Sequence, residues 1–176
     1  HAGVRRYAHV TRTRLTKARQ RTERIRTLVK VDSKACRLFS TGAYPQGTYG
    51  IVALGYDPTT LQTLTTMAHR CCSSDAAGQC ATTNIALTIG LKNHPKFRCP
   101  TEQVKSWFDL LTSDKIYITD TAKAFYEIKR QLMAKPKTMW QNVKGPIGAS
   151  IATMRQYGWT TIQLHKWVGG GLEWHY

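Results

Sequence analysis

Acidic residues are scarce in this chain of 176 residues. It has ten Asp and Glu against 26 Lys and Arg, which gives a formal net charge of +16 at pH 7 and an isoelectric point near 10.0. A compact protein with this surplus repels itself unless an anion neutralises it, and nucleic acid is the anion we expect. An anionic membrane surface is the alternative, but no segment resembles an amphipathic lipid anchor.

Long apolar runs are also missing. No stretch approaches the roughly 20 apolar residues of a membrane helix, and the opening residues HAGVRRYAHV lack the apolar block of a signal peptide. Because the sequence starts without Met, we interpret it as a segment of a longer translation product. We expect an intracellular location, in a nuclear or cytoplasmic ribonucleoprotein, and no membrane partner. Hydrophobic residues still make up 41% of the chain, so a folded core is expected.

The cysteines lack the spacing of a structural zinc site. An odd number of cysteines without a secretory signal favours free thiols in a reducing compartment. Structural zinc usually needs two CxxC-like pairs, or one CxxC with an HxxxH, and neither is present here. We therefore expect no bound metal and buried thiols that behave as small hydrophobic side chains. The five cysteines are Cys36, Cys71, Cys72, Cys80 and Cys99.

Recognisable catalytic motifs are absent as well. The sequence has no GxSxG elbow, P-loop or HExxH. Polymerase chemistry uses two metal ions held by aspartates, and no two Asp residues are adjacent here. Asp109, Asp114 and Asp120 are close in sequence, but helix capping and solvation explain them. We predict no catalytic residue, no cofactor and no catalytic activity in this chain alone.

Positive charge is concentrated in residues 1–37, which contain twelve Lys and Arg and only two acids. Sparse apolar residues at helical spacing predict a helix over about 12–30, with arginines on its outer face. A solvated charged face is the alternative, but so large a surplus in a short segment favours phosphate contacts. Lys144 joins this set because it precedes a helix start with free backbone amides. The predicted nucleic-acid-binding residues are Arg12, Arg14, Lys17, Arg19, Arg21, Arg24, Arg26 and Lys144.

Glycine and proline residues in the rest of the chain predict where helices and strands end. Residues 34–50 are predicted to begin as a helix, and their later glycines together with Pro45 then predict a bend. Tyr44 and Tyr49 flank this bend and are candidates for packing or stacking. We predict a turn at HPKFRCP (94–100). Two short strands, TIQLHKWV (161–168) and LEWHY (172–176), should surround the glycine turn at 169–171. The further predicted helices are 57–72, a weak one near 83–92, 102–111 capped by Thr101, 120–134 capped by Thr119 or Asp120, and one from Pro146 to a C-cap at Gly158.

Three tryptophans flank or lie within the predicted strands. Trp159, Trp167 and Trp174 should form an aromatic cluster. They serve either as core residues or as a stacking platform for nucleobases, and we favour the interpretation that they are core residues.

Two segments resemble a known family. Residues 37–70 contain Tyr49-Gly50 and then Gly55, followed by a helix with repeated leucines, and residues 139–174 contain a W…VKGP…GW…W block. Both are similar to the region that follows the polymerase palm in non-LTR retroelement reverse transcriptases, upstream of a ribonuclease H domain. The matching residues of the second block are Trp140, Val143, Lys144, Gly145, Pro146, Gly158, Trp159 and Trp167.

This resemblance implies a thumb or connection region, which grips the primer–template duplex that the palm extends. The expected fold is mainly α, a thumb-like assembly of about five or six helices with a small C-terminal β-hairpin. The resemblance implies as partners an RNA–DNA hybrid, an RNA or DNA duplex and the remainder of the parent polyprotein, an RNA-directed DNA polymerase. We divide the chain into a basic arm (1–33), a helical domain (34–135) and a helix-plus-hairpin module (136–176).

Three alternatives stay open on the sequence. The composition fits a stand-alone structural RNA-binding protein of a ribonucleoprotein equally well. A small nuclease with an unusual site, or a retroelement fragment that serves as a protein-interaction module, would also be compatible with the sequence.

Overall fold

The computed structural model describes residues 2–73, 78–113 and 117–175, and over these residues the chain is mainly helical with a small sheet at its C-terminus. The mainly α fold class is therefore confirmed, although this part of the chain holds more helices than the five or six expected. The helices are α1 (Ala2–Val29), α2 (Tyr44–Thr48), α3 (Pro58–Cys72), α4 (Ala81–Thr88), α5 (Pro95–Leu111), α6 (Ile118–Ala134), α7 (Met139–Asn142) and α8 (Gly145–Gln156).

Helix α1 starts well before the predicted residue 12, because from Val4 to Thr41 the sequence has neither glycine nor proline. Ala18, Thr22 and Ile25 are buried at a helical spacing of four and three residues. They form one narrow stripe along a helix that is otherwise largely exposed from residue 9 onward, which leaves most of the charged side chains between Arg12 and Arg26 in solvent.

The predicted bend in residues 34–50 is a series of short helical turns. A 3-10 segment (Ser33–Arg37) and a π segment (Phe39–Ala43) lead into α2. Gly47 allows α2 to lie close to α1, since a Cβ at this position would be 3.2 Å from the Cβ of Ala18. Gly50 follows α2 with φ +74, a left-handed conformation that favours glycine.

The predicted turn at residues 94–100 is wrong, because α5 begins there. The ring Nδ1 of His94 accepts a hydrogen bond from the Lys96 amide at 3.1 Å, so His94 caps the helix. Pro95 occupies the first helical position, where a missing amide proton costs nothing. Pro100 lies inside the helix, and Thr101 is therefore not the predicted cap.

The other helix predictions differ at their ends. The predicted helix over 57–72 is confirmed as α3, whereas the one near 83–92 ends at Thr88 and a 3-10 segment (Leu91–Asn93) follows it. Tyr117, not Thr119 or Asp120, is the N-cap residue of α6. Lys144 is the N-cap residue of α8, which starts one residue before Pro146.

The C-terminal sheet has three antiparallel strands in the order β1 (Thr160–Gln163), β2 (Lys166–Gly169) and β3 (Leu172–His175). Strands β2 and β3 flank the predicted glycine turn, with Trp167 opposite Trp174. The first predicted strand is in fact two strands, because the chain reverses between Gln163 and Lys166. The predicted hairpin is thus corrected to a three-stranded sheet.

The chain divides into two compact units, His1–Ile51 with Pro58–Cys99, and Val52–Asp57 with Pro100–Tyr176. The core of the first includes Phe39 and Leu64, both fully buried. In the second, Trp107 stacks on Phe125 with ring centroids 5.9 Å apart. The three-part division made from composition stays a prediction.

The C-terminal tryptophans pack within the second unit. Trp167 is buried in its core and Trp159 packs against that core. Trp174 meets the edge of Phe108 with ring centroids 4.9 Å apart. These contacts favour the core interpretation for Trp167 and Trp159, whereas Trp174 packs on Phe108 and is still 36% exposed.

Candidate nucleic-acid interface

Helix α1 arranges seven of the eight predicted binding residues in two rows. With 3.6 residues per turn, the rows lie on either side of the buried stripe. Small polar side chains, among them Thr13, Thr16 and Gln20, lie between the rows on the solvent side. We call both rows together the α1 cationic surface. The first row is Arg12, Arg19 and Arg26, and the second is Arg14, Lys17, Arg21 and Arg24.

Three of these arginines already have a hydrogen-bond or ion-pair partner: two of them bind residues outside α1 and one pairs within the helix. The guanidinium of Arg14 donates to the carbonyl of Tyr49, and that of Arg21 donates to the carbonyl of Gly42 at 3.4 Å. Arg26 lies 3.8 Å from a carboxylate oxygen of Glu23. Arg14 and Arg26 are accordingly half-buried, so they have less freedom than their neighbours to reach a ligand.

The other four cations of the surface are free to bind an anion. Arg12, Lys17, Arg19 and Arg24 are exposed. Within residues 9–73, 78–113 and 117–174 none of their four side chains forms a hydrogen bond or an ion pair in the structure. Guanidinium and ammonium groups in this state bind phosphate oxygens through charge-assisted hydrogen bonds. This is the largest group of uncommitted cations that the structure places on one element.

A groove of about 320 Å³ lies beside the first row, between α1 and α3. Arg19 and Arg70 stand among its polar lining, and Arg70 is 3.2 Å from Glu23. Glu23 is the one acid in the α1 sequence. Its pairs are exposed at 39–49% of each side chain, so they contribute little stability and compete weakly with a phosphate for Arg70.

Lys144 lies in a second groove, within the other unit and about 300 Å³ in volume. Arg130 and Lys135 line it with Lys144, and the amide side chains of Gln131 and Asn142 complete its polar wall. Because Lys144 is the N-cap residue of α8, the free amides of that helix start are next to the groove. We call this site the α8 groove.

Glu127 positions one side of the α8 groove. Its carboxylate accepts a hydrogen bond from Arg130 at 2.9 Å and another from Gln131 at 2.8 Å. The hydrogen bond from Arg130 lowers the pKa of Glu127, with Gln131 adding to the effect. The carboxylate therefore stays charged and keeps Arg130 oriented, while Lys135 and Lys144 form no ion pair with any described residue.

Arg130 and Lys135 are further candidates for phosphate binding that were not predicted from the sequence. They are separated from Lys144 by intervening elements, so no charge block marks them. A signal does exist: residues 128–172 contain seven Lys and Arg and not one acid. A long segment without acids indicates a binding site less clearly than a local excess of arginine does.

The thiols and acids do not assemble into a reactive centre in the described ranges. Burial raises the pKa of Cys71 and of Cys72 to about 12, which keeps both as neutral thiols. Among the side chains that the structure describes (residues 9–73, 78–113 and 117–174), there is no group of three or more His, Cys, Asp or Glu that could hold a metal ion. Asp109 is exposed, Asp120 lies 3.8 Å from Lys123, and Asp114 falls outside the described residues.

No described helix is both long and apolar enough to cross a bilayer. Neither a protein-family model nor a curated protein nor a solved structure matches the chain. The chain's own residues, above all its two cationic sites, are therefore what indicates a function.

Proposed function

We propose that this chain is a non-catalytic nucleic-acid-binding segment that grips a duplex, an RNA–DNA hybrid or an RNA or DNA duplex, through its phosphates. The observation that carries the proposal is the set of four exposed, uncommitted cations on one helix, in a chain whose net charge is +16. A thumb or connection region of a retroelement reverse transcriptase performs this task, and the resemblance of residues 37–70 and 139–174 to that region supports the assignment.

The mechanism is electrostatic. Each Lys or Arg that neutralises a phosphate releases condensed counterions, which gives affinity without selecting a base sequence. The α1 cationic surface supplies most of these contacts, and the α8 groove supplies a separate one. Recognition of a hybrid would rest on its A-like shape and its 2′-hydroxyl groups, since side chains cannot read the deep major groove of that form.

A salt titration with two matched variants tests the proposal. In the first variant Arg12, Arg19 and Arg24 become Gln. In the control Lys92, Lys105 and Lys123 become Gln, which removes the same charge from exposed positions elsewhere. The slope of log K against log salt should become shallower by about 3 in the first variant, close to one per lost phosphate contact, and the control should keep the slope of the unmodified chain.

Equal slopes in both variants would show that net charge alone drives binding and that α1 is not the interface. The retroelement part of the proposal has its own test in the parent reading frame. A Y-x-D-D palm motif encoded upstream supports it, and a start and a stop codon that bracket this segment contradict it.

A further inference from the structure

Tyr49 is an exposed aromatic residue next to the α1 cationic surface. Its side chain is 72% exposed, whereas Tyr44, five residues earlier, is buried beneath Arg98 and donates or accepts a hydrogen bond with Cys99. The two tyrosines that flank the glycine-rich bend thus have different roles. Tyr44 packs, and Tyr49 presents its ring to solvent.

The ring of Tyr49 is held in place by Arg14. The Arg14 guanidinium carbon lies 4.8 Å from the centroid of the ring, and the same guanidinium donates to the Tyr49 carbonyl. Gly50 makes this approach possible, because its φ is +74 and a Cβ there would be 3.0 Å from Arg14 Nη1. A cation on one face of the ring leaves the opposite face open, as the exposure of the side chain requires.

The surroundings define what can bind to that open face. Lys17 and Arg21 follow Arg14 along the same row of α1, so a ligand at Tyr49 also meets several positive charges. A flat aromatic group linked to phosphates fits both features, and a nucleobase is such a group. Bases inside a duplex are stacked on each other, which leaves an unpaired base as the available partner.

We infer that Tyr49 is a stacking site for one unpaired nucleobase, held against Arg14 beside the α1 cationic surface. The inference rests on the proposed function and makes it more specific: the preferred ligand is a duplex with a single-stranded extension. Stacking of a base on an aromatic side chain strengthens binding by roughly fivefold to a hundredfold. We expect the lower end of that range, because Tyr49 offers one open face.

The experiment compares three ligands with an equal number of phosphates: a blunt duplex, a shorter duplex with a single-stranded extension, and the same extension with abasic residues. The unmodified chain should bind the extension with bases about fivefold more tightly than the abasic one. Tyr49→Ala should abolish that difference, and Tyr49→Phe should retain it, because stacking uses the ring and not the hydroxyl. A 2-aminopurine in the extension should change its fluorescence on binding only when the ring is present.

Tyr117→Ala is the matched control, since Tyr117 is 80% exposed and has no described cation over its ring. It should leave the difference intact. Equal affinity of the unmodified chain for the base-containing and abasic extensions, with a steep salt dependence for both, would overturn the stacking site and leave the proposed function standing. Weak, salt-independent binding to all three ligands would overturn both.

Discussion

The α1 cationic surface and the α8 groove both offer positive charge to a ligand, but they arise in different ways. The α1 surface is a property of the local sequence, because any helix formed by residues 12–26 would display the same two rows. The α8 groove exists only after folding, since Arg130 and Lys135 come from α6 and its end whereas Lys144 caps α8. One site is encoded by composition and the other by tertiary packing.

This difference predicts different sensitivity to mutation. The α1 surface is redundant, so the loss of one arginine leaves neighbours with similar reach. The α8 groove has three cations, and their convergence depends on the core of the second unit, where Leu132 and Ile151 pack in one cluster. Damage to that core should therefore weaken the α8 groove while the α1 surface persists.

Gly55→Ala should have the largest effect, because it disturbs packing in the second unit. Gly55 has φ +79, and a Cβ there would be 2.5 Å from Cζ3 of Trp140, which packs on the core of that unit. Left-handed strain and overpacking together should lower the free energy of unfolding by about 3 kcal/mol. All five tryptophans of the chain belong to the second unit, so denaturation followed by tryptophan fluorescence reports on it selectively.

Gly158→Ala separates the two contributions to that loss. Gly158 has a similar φ of +80, but nothing lies within 4 Å of a Cβ at this position. Strain alone should then cost about 1 kcal/mol. If the two variants are equally destabilised, the contact with Trp140 is not what requires glycine at position 55.

Replacement of Arg130, Lys135 and Lys144 by Gln should have the next largest effect, now on binding. If the α8 groove contacts the same polyanion as α1, the salt slope should become shallower by about 2 to 3, as several phosphate contacts are lost. Denaturation followed by tryptophan fluorescence should show a free energy of unfolding that is unchanged within about 0.5 kcal/mol, since these side chains lie at the surface. An unchanged slope would instead restrict the interface to α1.

The sequence predicted the fold where the signals are local. The helix over 57–72 follows from capping chemistry, and the arginine-rich helix from the helical spacing of its apolar residues. The predicted C-cap at Gly158 is one residue late, since Tyr157 is the C-cap residue of α8 and Gly158 follows it in the left-handed conformation. The turn predicted at residues 94–100 was wrong, because two nearby prolines are typical of turns. Here His94 caps a helix that accommodates both Pro95 and Pro100. A histidine before a proline is not among the usual capping signals, so the sequence did not reveal that the His94 ring nitrogen caps the helix.

The candidate site was predictable in the same uneven way. Seven of its residues lie on one helix, as expected, yet the sequence could not show that Arg14 and Arg21 also bind main-chain carbonyls of Tyr49 and Gly42. Those contacts join residues more than 20 positions apart, and their partners carry no charge that a sequence would reveal. The α8 groove was missed for the same reason, since only the fold brings Arg130 close to Lys144.

Glu23→Gln should have the smallest effect, and it addresses the one acid on the α1 surface. The substitution releases Arg70 and removes one partner of Arg26, so it raises the positive potential of the first row. Affinity for a duplex should rise by about twofold to fivefold at low salt, because a charge that repels phosphates is lost. Stability should fall by less than about 1 kcal/mol, as expected for exposed ion pairs.

Asp120→Asn gives the control that makes so small a change interpretable. Asp120 forms an exposed pair with Lys123 on α6, outside the residues of both the α1 surface and the α8 groove, and its substitution alters the net charge by the same amount. If Glu23 matters through its position beside the first row, only Glu23→Gln should tighten binding, and the gain should shrink as salt screens the charge. An equal gain in both variants would mean that the acid's location is irrelevant and that total charge sets the affinity, which would remove the distinction between a built surface and a merely basic protein.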